Sequence, residues 1–347
     1  MTDALKTARP GVRVRSGNPV VTILRRREAS LVLALALITV GVSSVAPRFL
    51  SLDNFGQILA AVVVVTVVGV GQALVVISGN VDLSVGSVVG LTAFVAATTA
   101  HANQSLPLLI VFLMAMAIGA ACGAINGLLV TVGRIPAIVV TLGTLYVFRG
   151  VDYIIAGGGQ VNAAELPSSF LDFPSQKLFG IPLTIVLTVV LVAVFAAGAR
   201  WLRVGRYLYA TGNSSEAAHL AGLPQRRTVF GAFVLCGALA GVAGVLYATR
   251  FGAVTSSAGL GLEFQVVAAV VVGGVSILGG SGSIIGSVLG AILFGVITNA
   301  LNVMNAPSNW IQAISGAAIL LAIILDLAMS RARERRERFD RERAKLS

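Results

Sequence analysis

The sequence predicts an all-α integral membrane protein with about ten transmembrane helices and both termini in the cytoplasm. Hydrophobic residues make up 56% of its 347 residues and charged residues only 11%, whereas a soluble domain carries about 25% charged residues. The apolar residues fall in runs long enough to cross a hydrocarbon core. Many of the 39 glycines lie in these runs, as expected where helices pack closely without a hydrophobic force between them.

Apolar segments of spanning or near-spanning length follow one another along the chain. A transmembrane helix needs about 20 mainly apolar residues, so each segment is predicted to cross once. An even number of crossings returns the C-terminus to the side on which the chain began. The segments are 29–46, 56–77, 83–100, 107–130, 137–155, 180–199, 228–248, 262–279, 283–300 and 309–327.

Basic residues are concentrated in three places. Of the 25 Lys and Arg residues, 20 lie in residues 1–27, 200–227 and 331–345. Cytoplasmic loops carry an excess of Lys and Arg, and ten crossings place all three clusters on that side. Few aromatic residues are interleaved with these clusters, so the net charge of +11 does not indicate a nucleic-acid partner.

The same pattern predicts the domain organisation. A basic cytoplasmic segment covers 1–28, a transmembrane domain covers 29–327, and a basic cytoplasmic tail covers 328–347. The tail mixes both signs of charge and is expected to lie near anionic membrane lipid.

A short polar stretch lies inside the central basic loop, 200–227, and predicts a helix over about 213–222. Asn213 is its predicted N-cap, with Glu216 three residues later as in a capping box, and Gly222 is expected to end it. About eight helical residues span only ~12 Å, far less than the ~30 Å of a hydrocarbon core. The helix is therefore predicted to lie at the membrane surface, where it transmits force from a soluble partner.

Charged residues are nearly absent from the middle of the apolar segments. An ion-coupled transporter is expected to hold an acidic residue there, so energy is predicted to enter from elsewhere. The charged residues nearest the segments lie close to their ends: Asp82, Arg149, Asp152, Glu263 and Asp326.

The polar residues inside the segments are uncharged, which suits a neutral, polyhydroxylated solute. Four of them, together with Asp82 at a segment end, form a candidate translocation path: Asp82, Asn126, Thr141, Gln265 and Asn299. Uncharged polar residues also join helices to one another in membranes, and the sequence leaves both interpretations open. The other residues of this kind are Gln57, Gln72, Thr144 and Gln312.

Motifs for chemistry on this chain are weak or missing. The dipeptide Gly-Lys does not occur, which excludes a P-loop. The sequence contains only two histidines, which argues against a metal site. Cys122 and Cys236 lie in apolar segments and are expected to act as small hydrophobes. Gly279–Gly282 matches the G-x-S-G of intramembrane serine proteases, but Ser281 is more simply a helix N-cap. An ion-coupled secondary transporter and a serine protease remain as alternatives.

A faint internal repeat predicts two pseudo-repeated halves, although chance explains it equally well. Gly86-Ser-Val-Val-Gly90 and Gly286-Ser-Val-Leu-Gly290 share a pattern. Each follows a glycine-rich polar link, Gly79–Asp82 in the first half and Gly279–Gly282 in the second. Duplicated halves with broken helices are common in transporters.

Four sequence blocks together resemble the permease subunit of bacterial ATP-binding-cassette importers of the ribose, xylose and galactose type. The similarity extends from about Gln57 to Leu327. The blocks are Gly79–Gly86, Asn126–Thr144, Gly205–Ala218 and Gly273–Ser283.

This resemblance implies a multi-pass subunit of the bacterial cytoplasmic (inner) membrane that imports a small neutral solute by alternating access. It implies a second permease subunit, identical or different. It also implies two cytoplasmic ATPase subunits, or one fused double ATPase, and an extracytoplasmic sugar-binding protein. No cofactor is expected on this chain, since ATP and Mg²⁺ bind the ATPase. The residues implied to contact the ATPase are Asn213, Glu216, Ala217, Ala218 and Gly222.

Overall fold

A computed structural model describes residues 27–307 and, within 309–324, all residues except 311, 315, 318, 322 and 323. Most of the predicted basic segment 1–28, the whole tail 328–347 and Asp326 lie outside the described residues.

The described chain is a succession of helices joined by short loops and four two-residue strands, so the predicted all-α class is confirmed. Further helical residues occur between 309 and 324. The helices are α1 (Arg27–Val45), α2 (Leu52–Ile77), α3 (Val85–Ala102), α4 (Leu108–Thr131), α5 (Ala137–Ala156), α6 (Ser168–Leu171), α7 (Leu183–Trp201), α8 (Arg203–Asn213), α9 (Ser215–Leu220), α10 (Gln225–Phe251), α11 (Leu262–Val272) and α12 (Ile284–Val303).

Among the described residues, seven helices are long and apolar enough to cross a membrane: α2, α3, α4, α5, α7, α10 and α12. Shorter apolar helical stretches cover 31–45, 262–272 and 312–321. The expectation of a continuous span over 262–279 is wrong, because α11 ends at Val272 after 11 residues. At 1.5 Å per residue it is only ~16 Å long.

Glycines end both helices that precede the polar links. Gly79 and Gly274 have φ angles of +84° and +97°, a left-handed conformation that side chains with a β-carbon disfavour. The next N–H groups donate back to Val75 and Val270 carbonyl oxygens, at 3.1 and 3.2 Å. These are two Schellman motifs of the same form.

The two links therefore share their local geometry but differ in length. One covers 78–84 and the other 273–283, and each leads into a helix that begins with the repeated glycine pattern, α3 or α12. The sequence pattern makes Gly279 the counterpart of Gly79, whereas in the structure the equivalent residue at the end of the preceding helix is Gly274. The second link contains extra residues, including Ser281, and the side chain that caps α12 belongs to Ser283, which accepts from the N–H of Gly286 at 3.4 Å.

Helix α2 lies in the core with α10, α12, α11 and α7 around it, while α5 and α7 expose many apolar side chains. Loops gather at two opposite ends of the bundle. At one end, β1 (Gln160–Val161) pairs antiparallel with β4 (Val254–Thr255). At the other end, the links 78–84 and 273–283 meet the chain around Gly212. These are the predicted outer and inner ends, respectively.

Glycines set the spacing between α4 and α10. A β-carbon at Gly237 would overlap the carbonyl oxygen of Gly119 and would lie 2.8 Å from the nitrogen of Gly123. Glycines at a spacing of four residues let helix backbones approach in this way, so van der Waals contact between backbones holds this pair together.

We expect Gly237→Val to destabilise the protein by about 1–3 kcal/mol, the usual cost of overpacking, because the added methyl groups would push α4 and α10 apart. Gly231→Val is the matched control on the same helix, since a β-carbon there meets no atom within 4 Å. Denaturant titration in detergent micelles would compare them. Equal loss of stability in the two variants would contradict this account of the packing.

Candidate functional site

The surface helix predicted at 213–222 is present as α9, but it begins one residue later than expected. Ser214 is the N-cap, and its hydroxyl accepts from the N–H of Ala217 at 3.2 Å. Asn213 is the last residue of α8 instead, so the predicted capping box with Glu216 does not form. Gly222 ends the helix as predicted, at φ +71°, in a third Schellman turn that joins Leu223 to Ala218.

The side chains of α9 divide into an outward and an inward set. Glu216 and Ala217 are exposed, and the apolar side chain of Leu220 is 82% exposed. Ala218 is buried against the rest of the chain. A partner docking here would therefore meet Glu216, Ala217 and Leu220, while Ala218 holds the helix in place.

Helix α8 was missed by the sequence interpretation, which treated this stretch as loop. Its buried residues, Gly205, Leu208 and Thr211, recur every three positions, and this spacing is the signal that could have found it. The hydroxyl of Tyr209 donates to the carbonyl oxygen of Gly282 at 3.0 Å. Burial raises the pKa of Tyr209, so the hydroxyl stays protonated and remains a donor.

Three predicted path residues meet at the first link, 78–84. The Asp82 carboxylate accepts from the N–H and hydroxyl of Ser84, at 2.9 and 2.6 Å. The Asn126 amide donates to the Ser84 hydroxyl at 2.8 Å and approaches Asp82 at 3.4 Å. The Thr141 hydroxyl donates to the carbonyl oxygen of Val81 at 3.3 Å. All are buried, and their bonds stabilise the irregular backbone of the link.

Gln72 completes this cluster from the C-terminal part of α2. Oriented by its hydrogen bonds, its amide donates to the Asp82 carbonyl at 3.1 Å and accepts from the Asp82 N–H at 3.2 Å. The buried Gln72 amide thus pairs with both backbone groups of Asp82, as a neighbouring strand would in a β-sheet. Because unpaired backbone groups are costly away from water, these bonds are what allow α2 to stop inside the protein.

The other two predicted path residues, Gln265 and Asn299, line a cavity of about 280 Å³. The amide nitrogen of Asn299 donates to Asn54 at 2.9 Å, and its amide oxygen has no hydrogen-bond partner among the described residues. The remaining polar lining residues are Gln57, Tyr247, Arg250, Thr298 and Asn302.

A second cavity of about 710 Å³ shares Tyr247, Leu262 and Gln265 with the first. Gln312 and Glu263 also line it. Small-molecule sites occupy about 300–1,000 Å³, so the larger cavity has the size of such a site and the smaller one lies just below this range. The structure thus separates the polar residues of the sequence into two groups, one around the link 78–84 and one around these cavities.

Three charged residues that the sequence placed near segment ends are buried inside the protein. Arg149 and Asp152 lie within α5, exposed by 6% and 0%, and Glu263 lies in the first turn of α11. The Arg149 guanidinium donates to the carbonyl oxygens of Ser256 and Ala258, at 3.1 and 2.6 Å. These bonds hold the loop 252–261 against α3 and α5.

Interior glycines make room for these charges. A β-carbon at Gly90 would lie 2.6 Å from the Arg149 guanidinium and 3.2 Å from the Asp152 carboxylate. One at Gly86 would overlap the Glu263 carboxylate. Helix α3 is mainly apolar in sequence, so the sequence alone could not show that it packs against buried charged side chains.

The described residues contain no group of three His, Cys, Asp or Glu side chains placed to hold a metal ion. Ser281 lies in the link at the inner end, and within the described chain its hydroxyl has no hydrogen bond to a histidine. His101 contacts the Glu165 carbonyl at 3.0 Å, in the loops at the outer end. The described geometry therefore gives no support to the protease alternative.

Comparison with known proteins identifies the family to which the chain belongs. Residues 54–323 match the family described as branched-chain amino acid transport system permease components. The chain belongs to this permease family. Its helices of spanning length make it a multi-pass membrane protein, and its family is one of transport permeases. The predicted location in the bacterial cytoplasmic membrane is confirmed.

Relatives in this permease family match almost the whole chain. The autoinducer 2 import system permease protein LsrC of Enterobacter sp. strain 638 is 37% identical, covering 91% of both chains. A probable ABC transporter permease of Sinorhizobium fredii is 36% identical, covering 92% of this chain and 94% of its own. The ribose import permease protein RbsC of Escherichia coli K12 is 34% identical, covering 86% and 93%. No solved structure matches the chain.

We expect Arg149→Met to destabilise this permease by about 3–5 kcal/mol, because it leaves the buried Asp152 carboxylate without its counter-ion. The double variant Arg149→Met/Asp152→Leu should recover part of that loss, since the buried Asp152 carboxylate is then no longer present. Denaturant titration of both variants in detergent would measure the difference. A double variant no more stable than Arg149→Met would show that the pairing with Asp152, at 3.7 Å, contributes nothing.

Proposed function

We propose that this permease is the membrane subunit of an ATP-binding-cassette importer for a monosaccharide or a related small neutral solute. Two of the relatives are import permeases for ribose and for autoinducer 2, and a third is a probable ABC transporter permease. The solute crosses by alternating access, with the cavities opening in turn to the outer and inner ends.

The observation that carries the choice of solute is the lining of the cavity of about 280 Å³. Amides and hydroxyls supply both donors and acceptors there, and Tyr247 and Phe251 add aromatic rings whose centroids lie 4.5 Å apart. Arg250 lies over the Phe251 ring at 4.9 Å. Such a surface is suited to a molecule with many hydroxyl groups and no net charge.

The proposed path starts with Gln265 and Asn299, which face the cavity. Asp82, Asn126 and Thr141 belong to its inner part, where their bonding to the link 78–84 favours a structural contribution. A second permease subunit, identical or different, would supply the remaining residues of a path that runs between the two subunits.

The proposed engine is a separate ATPase, as two subunits or one fused double subunit, which binds ATP and Mg²⁺ and docks on α9. The exposed residues Glu216, Ala217 and Leu220 supply the contact, with Asn213 and Gly222 at the two ends of the helix. An extracytoplasmic sugar-binding protein would deliver the solute to the outer end.

An ion-coupled secondary transporter is the second candidate, because the buried carboxylates of Asp152 and Glu263 are groups that such proteins use. Three of these carboxylate oxygens have no hydrogen-bond partner among the described residues. The energy source distinguishes the two candidates.

We expect uptake to stop when ATP is depleted and to continue when a protonophore collapses the ion gradient, provided that ATP is maintained. The measurement is uptake of labelled ribose, xylose, galactose and autoinducer 2 by cells that lack their own ATP synthase and express the permease with its neighbouring genes. Uptake that survives ATP depletion and stops with the protonophore would favour the secondary transporter.

We expect Glu216→Lys to leave membrane insertion intact and to lower uptake about tenfold or more, because reversal of one charge at a docking contact costs on the order of 1–2 kcal/mol. Asp172→Lys, at an exposed position of the outer loop, is the control with the same charge change. Uptake and ATP hydrolysis would both be measured on the assembled complex. Normal uptake by Glu216→Lys would argue against docking at α9.

A further inference from the structure

Three stretches of backbone meet at the inner end without side chains between them. They are the end of α8 and the two links, 78–84 and 273–283. We name the contact the glycine junction, formed by Gly79, Gly212, Gly279 and Gly280. The N–H of Gly280 donates to the carbonyl oxygen of Ile77 at 2.9 Å, which joins the second link directly to the end of α2.

Gly212, Gly279 and Gly280 have no room for a β-carbon because a neighbouring backbone occupies its space, whereas Gly79 is required by its left-handed backbone, at φ +84°. A β-carbon at Gly279 would lie 2.7 Å from the Cα of Gly79 and 2.9 Å from the carbonyl oxygen of Gly212. One at Gly212 would overlap the Ile77 carbonyl and lie 2.6 Å from the nitrogen of Gly280. Contacts between backbones cannot relax by changing rotamers, so a displacement of one stretch displaces the others.

The junction lies two residues from the surface helix. Gly212 is followed by Asn213 and by Ser214, the N-cap of α9. A β-carbon at Gly280 would lie 2.6 Å from the nitrogen of Asn213. One turn earlier in α8, Tyr209 donates to Gly282, a second bond between the same two stretches.

The links lead from the junction to the cavities. The second link joins α11, which carries Gln265, to α12, which carries Asn299. The first link leads into α3, whose first turn at Gly86 touches the Glu263 carboxylate. Rigid helices thus connect the junction to residues that line both cavities.

We propose that the glycine junction is the mechanical connection of this transporter: it converts a displacement of α9 into a simultaneous movement of both links and of the helices that they join. Gly212 is a positioning residue, which acts on the solute cavities through the links. The inference rests on the proposed function, since it requires a partner that displaces α9.

The test follows a conformational change rather than uptake, so it does not depend on knowing the solute. A single exposed cysteine is introduced into the larger cavity by Ser257→Cys, and the native Cys122 and Cys236 are buried. The permease is reconstituted in proteoliposomes with its proposed ATPase partner. The rate of maleimide labelling is measured without nucleotide and after trapping with ATP and vanadate.

We expect trapping to change the labelling rate in the parent protein. In Gly212→Ala the change should fall at least about fivefold, the lower end of couplings between distant sites, while ATP hydrolysis by the complex continues. Gly231→Ala, which adds the same methyl group where no atom lies within 4 Å, should respond as the parent does.

Tyr209→Phe tests the junction without adding volume, so it decides the question if Gly212→Ala does not assemble. Loss of its hydroxyl should reduce the response to trapping and leave assembly intact. A full response in Tyr209→Phe, or in an assembled Gly212→Ala complex, would overturn the inference while leaving the proposed function in place. A parent complex whose labelling ignores ATP would overturn the proposed function, and the inference with it.

Discussion

Inside a bilayer, every backbone N–H and C=O must find a partner within the protein, because hydrocarbon offers none. This permease nevertheless interrupts its helices twice, at 78–84 and 273–283. The interruptions are possible because other groups replace the missing helical bonds: the Gln72 amide pairs with the backbone of Asp82, and the N–H of Gly280 pairs with Ile77. The polar residues around the first link are therefore a condition of the fold.

Glycine supplies the second condition. Three helices end in Schellman turns at Gly79, Gly222 and Gly274, where the backbone is left-handed. At the α4–α10 contact and at the glycine junction, the absence of a β-carbon lets backbones touch directly. Because lipid does not press helices together, close contact between backbones has to supply the attraction, and it also makes the connections between helices stiff. Stiff connections are what the proposed coupling to a cytoplasmic ATPase requires.

The polar interior is divided in a way that gives its parts different tasks. Hydrogen bonds join Asp82, Asn126 and Thr141 to the link. By contrast, Gln265 and Asn299 face a cavity, where their amides are placed to bind a ligand. Between these groups, Arg149 fixes the loop 252–261 that borders the larger cavity. A solute in the cavities would thus be surrounded by elements that the links and this loop hold in position.

The sequence by itself determined the membrane class, most helix positions and the surface helix ended by Gly222, since these depend on local composition and periodicity. It misplaced the N-cap by one residue and extended α11 past Val272, because both depend on which groups meet them in space, and it overlooked α8 although the spacing of Gly205, Leu208 and Thr211 was available. Tertiary structure alone decided that Asp152 and Glu263 are buried, and which polar residues reach a cavity. It alone brought Gly79, Gly212 and Gly280 together, because contacts between residues some 70 to 200 positions apart follow from packing that no local pattern encodes.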